Sequence, residues 1–293
     1  MKKSTKIWLI IAALLLVIGL GLSVAALAAV DFDVSRLNTE GAYERRTYTF
    51  DAEQLKSAEI QSVSQDIRVV GSDEKAGTVE YYTGERIGYA VSFSEGKLTI
   101  RHFDRSEEHV PTDTVFALTC HSTSGNIEAS GFTGNKLFLK NTSGSIRVSD
   151  ITAAELEARS TSGSIEAARI RVTEGGAVLA AVSGSVVLED AVCAQRLEAS
   201  AISGRVGLTN STCGDAILQT TSGALYFKNL RCDSLNAESV SGSIKGSLTG
   251  SASDYRFIAS STSGSVSIPP EQGGSHEVRL RTTSGSIDIK TES

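Results

Sequence analysis

The sequence predicts an all-β protein: a single-stack β-solenoid of about 20 residues per rung, behind an N-terminal transmembrane helix. Three observations predict it. A β-branched residue followed by Ser-Gly recurs nine times at spacings of 19 to 22 residues. The second residue after each glycine is always apolar. An uncharged run, 7–30, follows a lysine-rich head.

The head, residues 1–6, carries Lys2, Lys3 and Lys6 and no acid. Residues 7–30 would make a helix of about 36 Å, enough to cross ~30 Å of hydrocarbon. Lysines before the span place the N-terminus in the cytoplasm and the rest of the chain outside it. Ala26-Leu27-Ala28 also fits a signal-peptide cleavage site, so a retained anchor and a cleaved leader both remain readings, and both imply export. The anchor is preferred because the run is longer than an ordinary signal-peptide core. The expected location is thus the cell membrane, single-pass, with an extracytoplasmic body. From Asp31 onward the chain holds 25 basic and 34 acidic residues. An acidic body with no basic stripe excludes nucleic acid as a partner.

Residues 31–50 read as a polar linker. The solenoid is expected over 51–293, with 51–116 as an irregular cap and first rung and 117–293 as regular rungs. In the cap, the stretch from Ala58 to Val69 reads as a degenerate rung, with Gln65-Asp66 in place of Gly-Ser. Beyond it the motif settles: Ser124-Gly125, Ser143-Gly144, Ser162-Gly163, Ser183-Gly184, Ser203-Gly204, Ser222-Gly223, Ser241-Gly242, Ser263-Gly264 and Ser284-Gly285. Before each motif stands Thr, Val or Ile. Two residues after the glycine comes Ile127, Ile146, Ile165, Val186, Val206, Leu225, Ile244, Val266 or Ile287, so this column points inward. Seven and five residues before it lie apolar pairs such as Leu137/Leu139 and Leu156/Ala158. Period-two alternation on both sides of the glycine marks two short strands, with the glycine supplying a bend or a left-handed conformation. A unit this small cannot bury its own apolar face, and stacked parallel rungs solve that.

Cys193, Cys213 and Cys232 each lie nine residues after a rung glycine, so they share one column with Gly134, Ala153 and Val172. A column of small buried residues, a disulfide between neighbours and a metal site are the three readings; the first is preferred, and no metal or cofactor is assigned. Cys120 falls in the inward column as a small hydrophobe. His102, His109, His121 and His276 show no ligand spacing. Nine serines without a partnered His or Asp do not read as nucleophiles, so they are assigned to a hydroxyl ladder bonding turn backbone groups. The outward column three residues after the glycine mixes Glu128, Arg147, Glu166, Tyr226 and Lys245, without the clustered carboxylates of a carbohydrate-active enzyme. No enzyme is expected.

The Thr-Ser-Gly-Ser-Ile blocks at 142–146, 161–165 and 283–287, with Thr262 to Val266, and the early Ile67-Arg68-Val69 rung resemble the bacterial putative-adhesin family, a family of β-strand repeats of unknown function. The resemblance covers about residue 50 to the end. It implies a membrane-attached, non-enzymatic surface solenoid that binds envelope components or a protein partner, in adhesion or in sensing envelope state. A structural spacer or assembly protein is the alternative, and a carbohydrate-active enzyme a third. Outward apolar residues Phe138, Val178, Ile217 and Ile258 mark a candidate strip for binding. Ile287 to Lys290 is expected to be the uncovered end of the rod. Asp288, Lys290 and Glu292 there favour a monomer, with end-to-end dimerisation as the competing outcome.

Overall fold

A computed structural model describes residues 44–292, except 65, 73–75, 84–89, 103–105, 112–115 and 271–272. The expected stub, membrane helix and most of the linker, 31–50, lie outside them. Among the described residues no helix is long and apolar enough to cross a membrane.

The rungs stack as parallel strands in register, as the glycine spacing requires. Ile127, Ile146, Ile165, Val186, Val206, Leu225 and Ile244 follow one another as direct neighbours, and all are fully buried. The pairs before the glycines align in the same way: Leu118, Leu137, Leu156, Ala177, Leu197, Ala216 and Leu235 form one inward line. Large and small residues alternate between these lines, which fills a core of fixed width. Burial of each inward Ile, Leu or Val contributes about 1.5–3 kcal/mol.

The corner glycines lie in bends, one of the two conformations offered by the sequence, and not in the left-handed one; a further constraint also requires them. None of the nine corner glycines has a positive φ. The further constraint is that the rungs approach closely there. A Cβ on Gly204 would lie 2.0 Å from the carbonyl oxygen of Gly184, and one on Gly223 2.0 Å from that of Gly204. The left-handed conformation occurs at a second corner, six residues after the glycine. Gly131, Asp150, Arg169, Asp190, Asn210 and Asn229 all have φ between 49° and 73° there. Short polar side chains tolerate that region best. They also form a ladder: Asn210 Nδ2 donates to Asp190 Oδ1 at 3.1 Å, and Asn229 Nδ2 to Asn210 Oδ1 at 3.0 Å. Arg169, the least suited to this backbone, makes two bonds to the Asp150 carboxylate at 2.6 and 2.8 Å and holds that carboxyl below its usual range. Regular rungs free of helix were expected; a single 3-10 turn, Ala252–Asp254, interrupts them between the Gly242 and Gly264 rungs.

Stacking order departs from chain order at both ends. The strand Leu225–Ser241 pairs with His276–Ser284, which in turn pairs with Tyr255–Ser263. Likewise Ile244–Thr249 pairs with Ile287–Glu292, whose other neighbour is Val266–Ser267. The Gly285 rung is therefore inserted between the Gly242 and Gly264 rungs. Ile287 to Lys290 is not the uncovered end: Ile287 and Ile289 are buried, and the outermost rung is that of Gly264. This explains the one failure of the inward column, since Val266 is 42% exposed. The same inversion occurs at the start, where Ser57–Ser62 lies between Lys97–His102 and Phe116–Ser122. There the end is closed as expected by a β cap. Glu44–Asp51, assigned to the linker from sequence, pairs antiparallel with Ala76–Thr83, which pairs antiparallel with Ser106–Pro111. Ala90–Ser94 covers Lys97–His102 in the same antiparallel sense.

Gly204→Ala should lower stability by about 1–3 kcal/mol through overpacking against the neighbouring rung. Gly207→Ala, where nothing lies within 4 Å of the added methyl, should instead raise it by about 0.4–1 kcal/mol. Urea melts of the two variants check the contrast. Deleting residues 276–293 removes the rung that the Gly264 rung rests on. Limited proteolysis of that deletion should therefore show cleavage reaching back to about Gly250, rather than stopping at the new end.

Candidate binding surface

The Ser-Gly corner is built from three adjacent columns. Three residues before the glycine stands a residue that is buried in every rung but the outermost, where Ser261 is half-buried, and that is in most rungs polar: Ser122, Asn141, Ser160, Thr220, Ser239, Thr282. These side chains, rather than the serines beside the glycine, bond the stacked carbonyls. Ser160 Oγ donates to the Gly144 carbonyl at 3.2 Å, Thr220 Oγ1 to that of Gly204 at 3.0 Å, and Ser239 Oγ to that of Gly223 at 3.2 Å. Thr282 Oγ1 donates to the Gly242 carbonyl at 2.9 Å, which fixes the Gly285 rung against the Gly242 rung. The motif serines join the ladder through their backbones: Ser162 N donates to Thr142 O and Ser222 N to Ile202 O, both at 2.8 Å. Their side chains at 143, 162, 183, 203 and 222 are exposed.

Outside this polar line runs the β-branched column, and its apolar members are open to solvent. Val63 is 49% exposed, Val182 42%, Ile202 51% and Val240 51%, with threonines between them. Two separate shallow hollows border the column. One of about 380 Å³ is bordered by Ile202, Thr221, Val240, Gln219, Glu238 and Arg281. Another of about 470 Å³ is bordered by Val63, Thr123, Thr142, His121, Lys140 and Arg101. Each hollow joins hydroxyl and methyl groups of the column with a charged wall, mixed at the first and basic at the second. The sequence reading treated these β-branched residues as part of the motif and missed their exposure. The signal was available: between rungs the position varies among Thr, Val and Ile with no size constraint, unlike the inward columns.

The strip expected at Phe138, Val178, Ile217 and Ile258 is mostly not free. The first three are half-buried on a sheet face, and Phe138 lies against His121 with ring centroids 5.5 Å apart. Only Ile258, on the outermost rung, is substantially exposed, at 45%. The charges on the outward faces pair across or along rungs, as Arg147 does with Glu166 at 3.0 Å and Lys136 with Glu155 at 2.8 Å.

Cys193, Cys213 and Cys232 stand in register on adjacent parallel strands, following Val172, and all are buried free thiols. Parallel side chains keep Cβ atoms about one strand spacing apart, ~4.8 Å, wider than the 3.5–4.5 Å that a disulfide prefers. Burial pushes the Cys193 and Cys232 thiols up to about 12 and raises Cys213 as well. Cys120 is buried in the core line, as expected. The column ends at Cys232, where Ser251 caps the turn Ala252–Asp254 and the Tyr255 hydroxyl bonds Thr249 O at 2.6 Å. A cleft of about 680 Å³ opens at this step, lined by the three cysteines, Asp233, Asp254 and His276.

Ala181 and Ala201 occupy the polar column where their neighbours carry hydroxyls. Ala181→Ser should supply the Gly163 carbonyl with the bond that Ser160 gives Gly144, raising stability by about 0.5–1.5 kcal/mol. A urea midpoint unchanged or lowered would show that the hydroxyl does not reach.

No curated protein matches this sequence. The fold is shared with the crystal structure of a putative adhesin from Parabacteroides merdae, at 10% identity and a TM-score of 0.57, over 85% of this chain and 98% of that one. A putative adhesin from Bacteroides fragilis aligns at 15% identity and a TM-score of 0.41, over 84% of this chain and 97% of that one. Residues 55–290, nearly the whole described body, match the Toastrack (DUF4097) family, and the chain belongs to that family of β-solenoid domains.

Proposed function

We propose that the protein is a non-enzymatic module of the cell envelope, held by residues 7–30 with its solenoid outside the cytoplasm. It binds an envelope polymer or a protein partner along the Ser-Gly corner, in adhesion or in sensing envelope state. The observation that carries this reading is the exposed set of Val63, Val182, Ile202 and Val240 in one registered column with threonines, bordered by two shallow hollows. Four solvent-facing β-branched apolar residues in one line cost solubility without serving the core, which is the mark of a contact surface. Repeated sites at one strand spacing also suit an extended partner, as in other solenoids. The adhesin-like fold agrees with this. A structural spacer is the second reading, favoured by the flat faces, where paired charges leave little for a partner to recognise.

The test is recovery of partners from detergent-solubilised envelope by the wild-type protein and by the Val182→Ser/Ile202→Ser/Val240→Ser variant. These side chains lie outside the core, so the variant should fold with an unchanged urea midpoint. Loss of the partners recovered by wild type supports the corner as the binding surface. Identical recovery by both would refute it, and no specific recovery by either would favour the spacer.

A further inference from the structure

The cysteine column is buried like the alanine and valine that share it, and its three thiols also line a cleft. The thiols follow one another on adjacent parallel strands, keep slight accessibility of 2%, 5% and 3%, and line that cleft of about 680 Å³. Among the described residues no three His, Cys, Asp or Glu groups are gathered to enclose a metal ion, so a tetrahedral or octahedral centre is not on offer. A two-coordinate centre is. Two metal–thiolate bonds of about 2.3 Å in a line span about 4.6 Å, close to the ~4.8 Å spacing of neighbouring strands. A linear bridge therefore fits between sulfurs on adjacent rungs without backbone movement.

We propose that Cys193, Cys213 and Cys232 form a site for one soft monovalent cation of the Cu(I) class, held linearly between two neighbouring sulfurs. Soft thiolate ligands select such ions over hard ones. Binding replaces two S–H bonds by two metal–sulfur bonds and releases two protons to the solvent, with no change of oxidation state. Cys193 and Cys232 are two rungs apart, about 9.6 Å, too far to share an ion. Cys213 is thus common to both bridges, Cys193–Cys213 and Cys213–Cys232. The exposed Arg231 side chain lines the cleft, together with the carboxylates of Asp233 and Asp254. The cleft gives the ion its entry.

The ladder makes an unequal prediction for three chemically equal residues. Reduced full-length protein in detergent, without oxygen, is titrated with Cu(I) buffered by bathocuproine disulfonate. One ion per chain is expected. Cys213→Ala should weaken binding by roughly 10²–10⁴-fold, the advantage of two tethered ligands over one. Cys193→Ala and Cys232→Ala should each cost only about twofold, because one bridge survives. Cys120→Ala should change nothing. Alanine already occupies this column at Ala153, so the variants should keep the wild-type circular dichroism spectrum. Equal losses from the three variants, several ions per chain, or no binding above the Cys213→Ala level would each overturn the proposal.

Discussion

The closest constraint in the molecule is the contact between one corner glycine and the carbonyl of the next. With about 2 Å between that oxygen and the place of a Cβ, only hydrogen can stand at the corner. Much else depends on it. Rungs that meet there must stay in register, because a one-residue slip would drive a side chain into the neighbouring backbone. Register in turn turns every inward position into a column, so a residue is judged by its neighbours above and below. The carbonyls so stacked need donors, and the hydroxyls of Ser160, Thr220, Ser239 and Thr282 supply them from a buried line.

Because all rungs share this corner, any rung can stack on any other. That equivalence permits the inverted order at the ends. The Gly285 rung offers the same glycine, apolar column and hydroxyl donor whether it follows the Gly264 rung or precedes it. What separates the two arrangements is the chain between the rungs. The turn at Ala252–Asp254 replaces the short second-corner segment of the Gly242 rung, and with it the left-handed residue that the earlier rungs carry six positions after the glycine. Gly273 and Gly274 then bond the Tyr255 carbonyl, tying the chain around them to the outermost rung. At the opposite end antiparallel strands do the closing, and there too a later strand, Lys97–His102, is placed outside an earlier one, Ser57–Ser62.

The sequence made the fold and nearly every inward residue legible, since a repeat of 19 to 22 residues states directly which positions align. The alignment of Cys193, Cys213 and Cys232 could be read by counting from each glycine, and the strand register agrees with it. Rung order could not be read, because counting says which residues share a column and not which rungs are neighbours. The bend at each glycine was legible, whereas the close approach was not, because a tight approach between rungs and a left-handed turn both call for glycine. The second corner was legible in principle, from Asp150, Asp190, Asn210 and Asn229 at a constant offset. Arg169 in the same column obscured it, since arginine has no preference for that backbone, and its place depends on Asp150 one rung away.

A periodic core also explains why chemistry on this scaffold must be sought in columns rather than in single residues. A side chain placed on one rung meets its nearest equivalents at one strand spacing, so weak features are multiplied along a line. On the flat faces this spacing lets opposite charges cancel between rungs, as Arg147 and Glu166 do. At the Ser-Gly corner the same spacing sums four exposed apolar residues into a strip that no single rung could provide. In the cysteine column it keeps Cβ atoms wider apart than a disulfide prefers and matches the span of the proposed two-coordinate bridge. The interval that disfavours a covalent cross-link is therefore the interval that suits the proposed two-coordinate ion, and both follow from the glycine contact that holds the rungs in register.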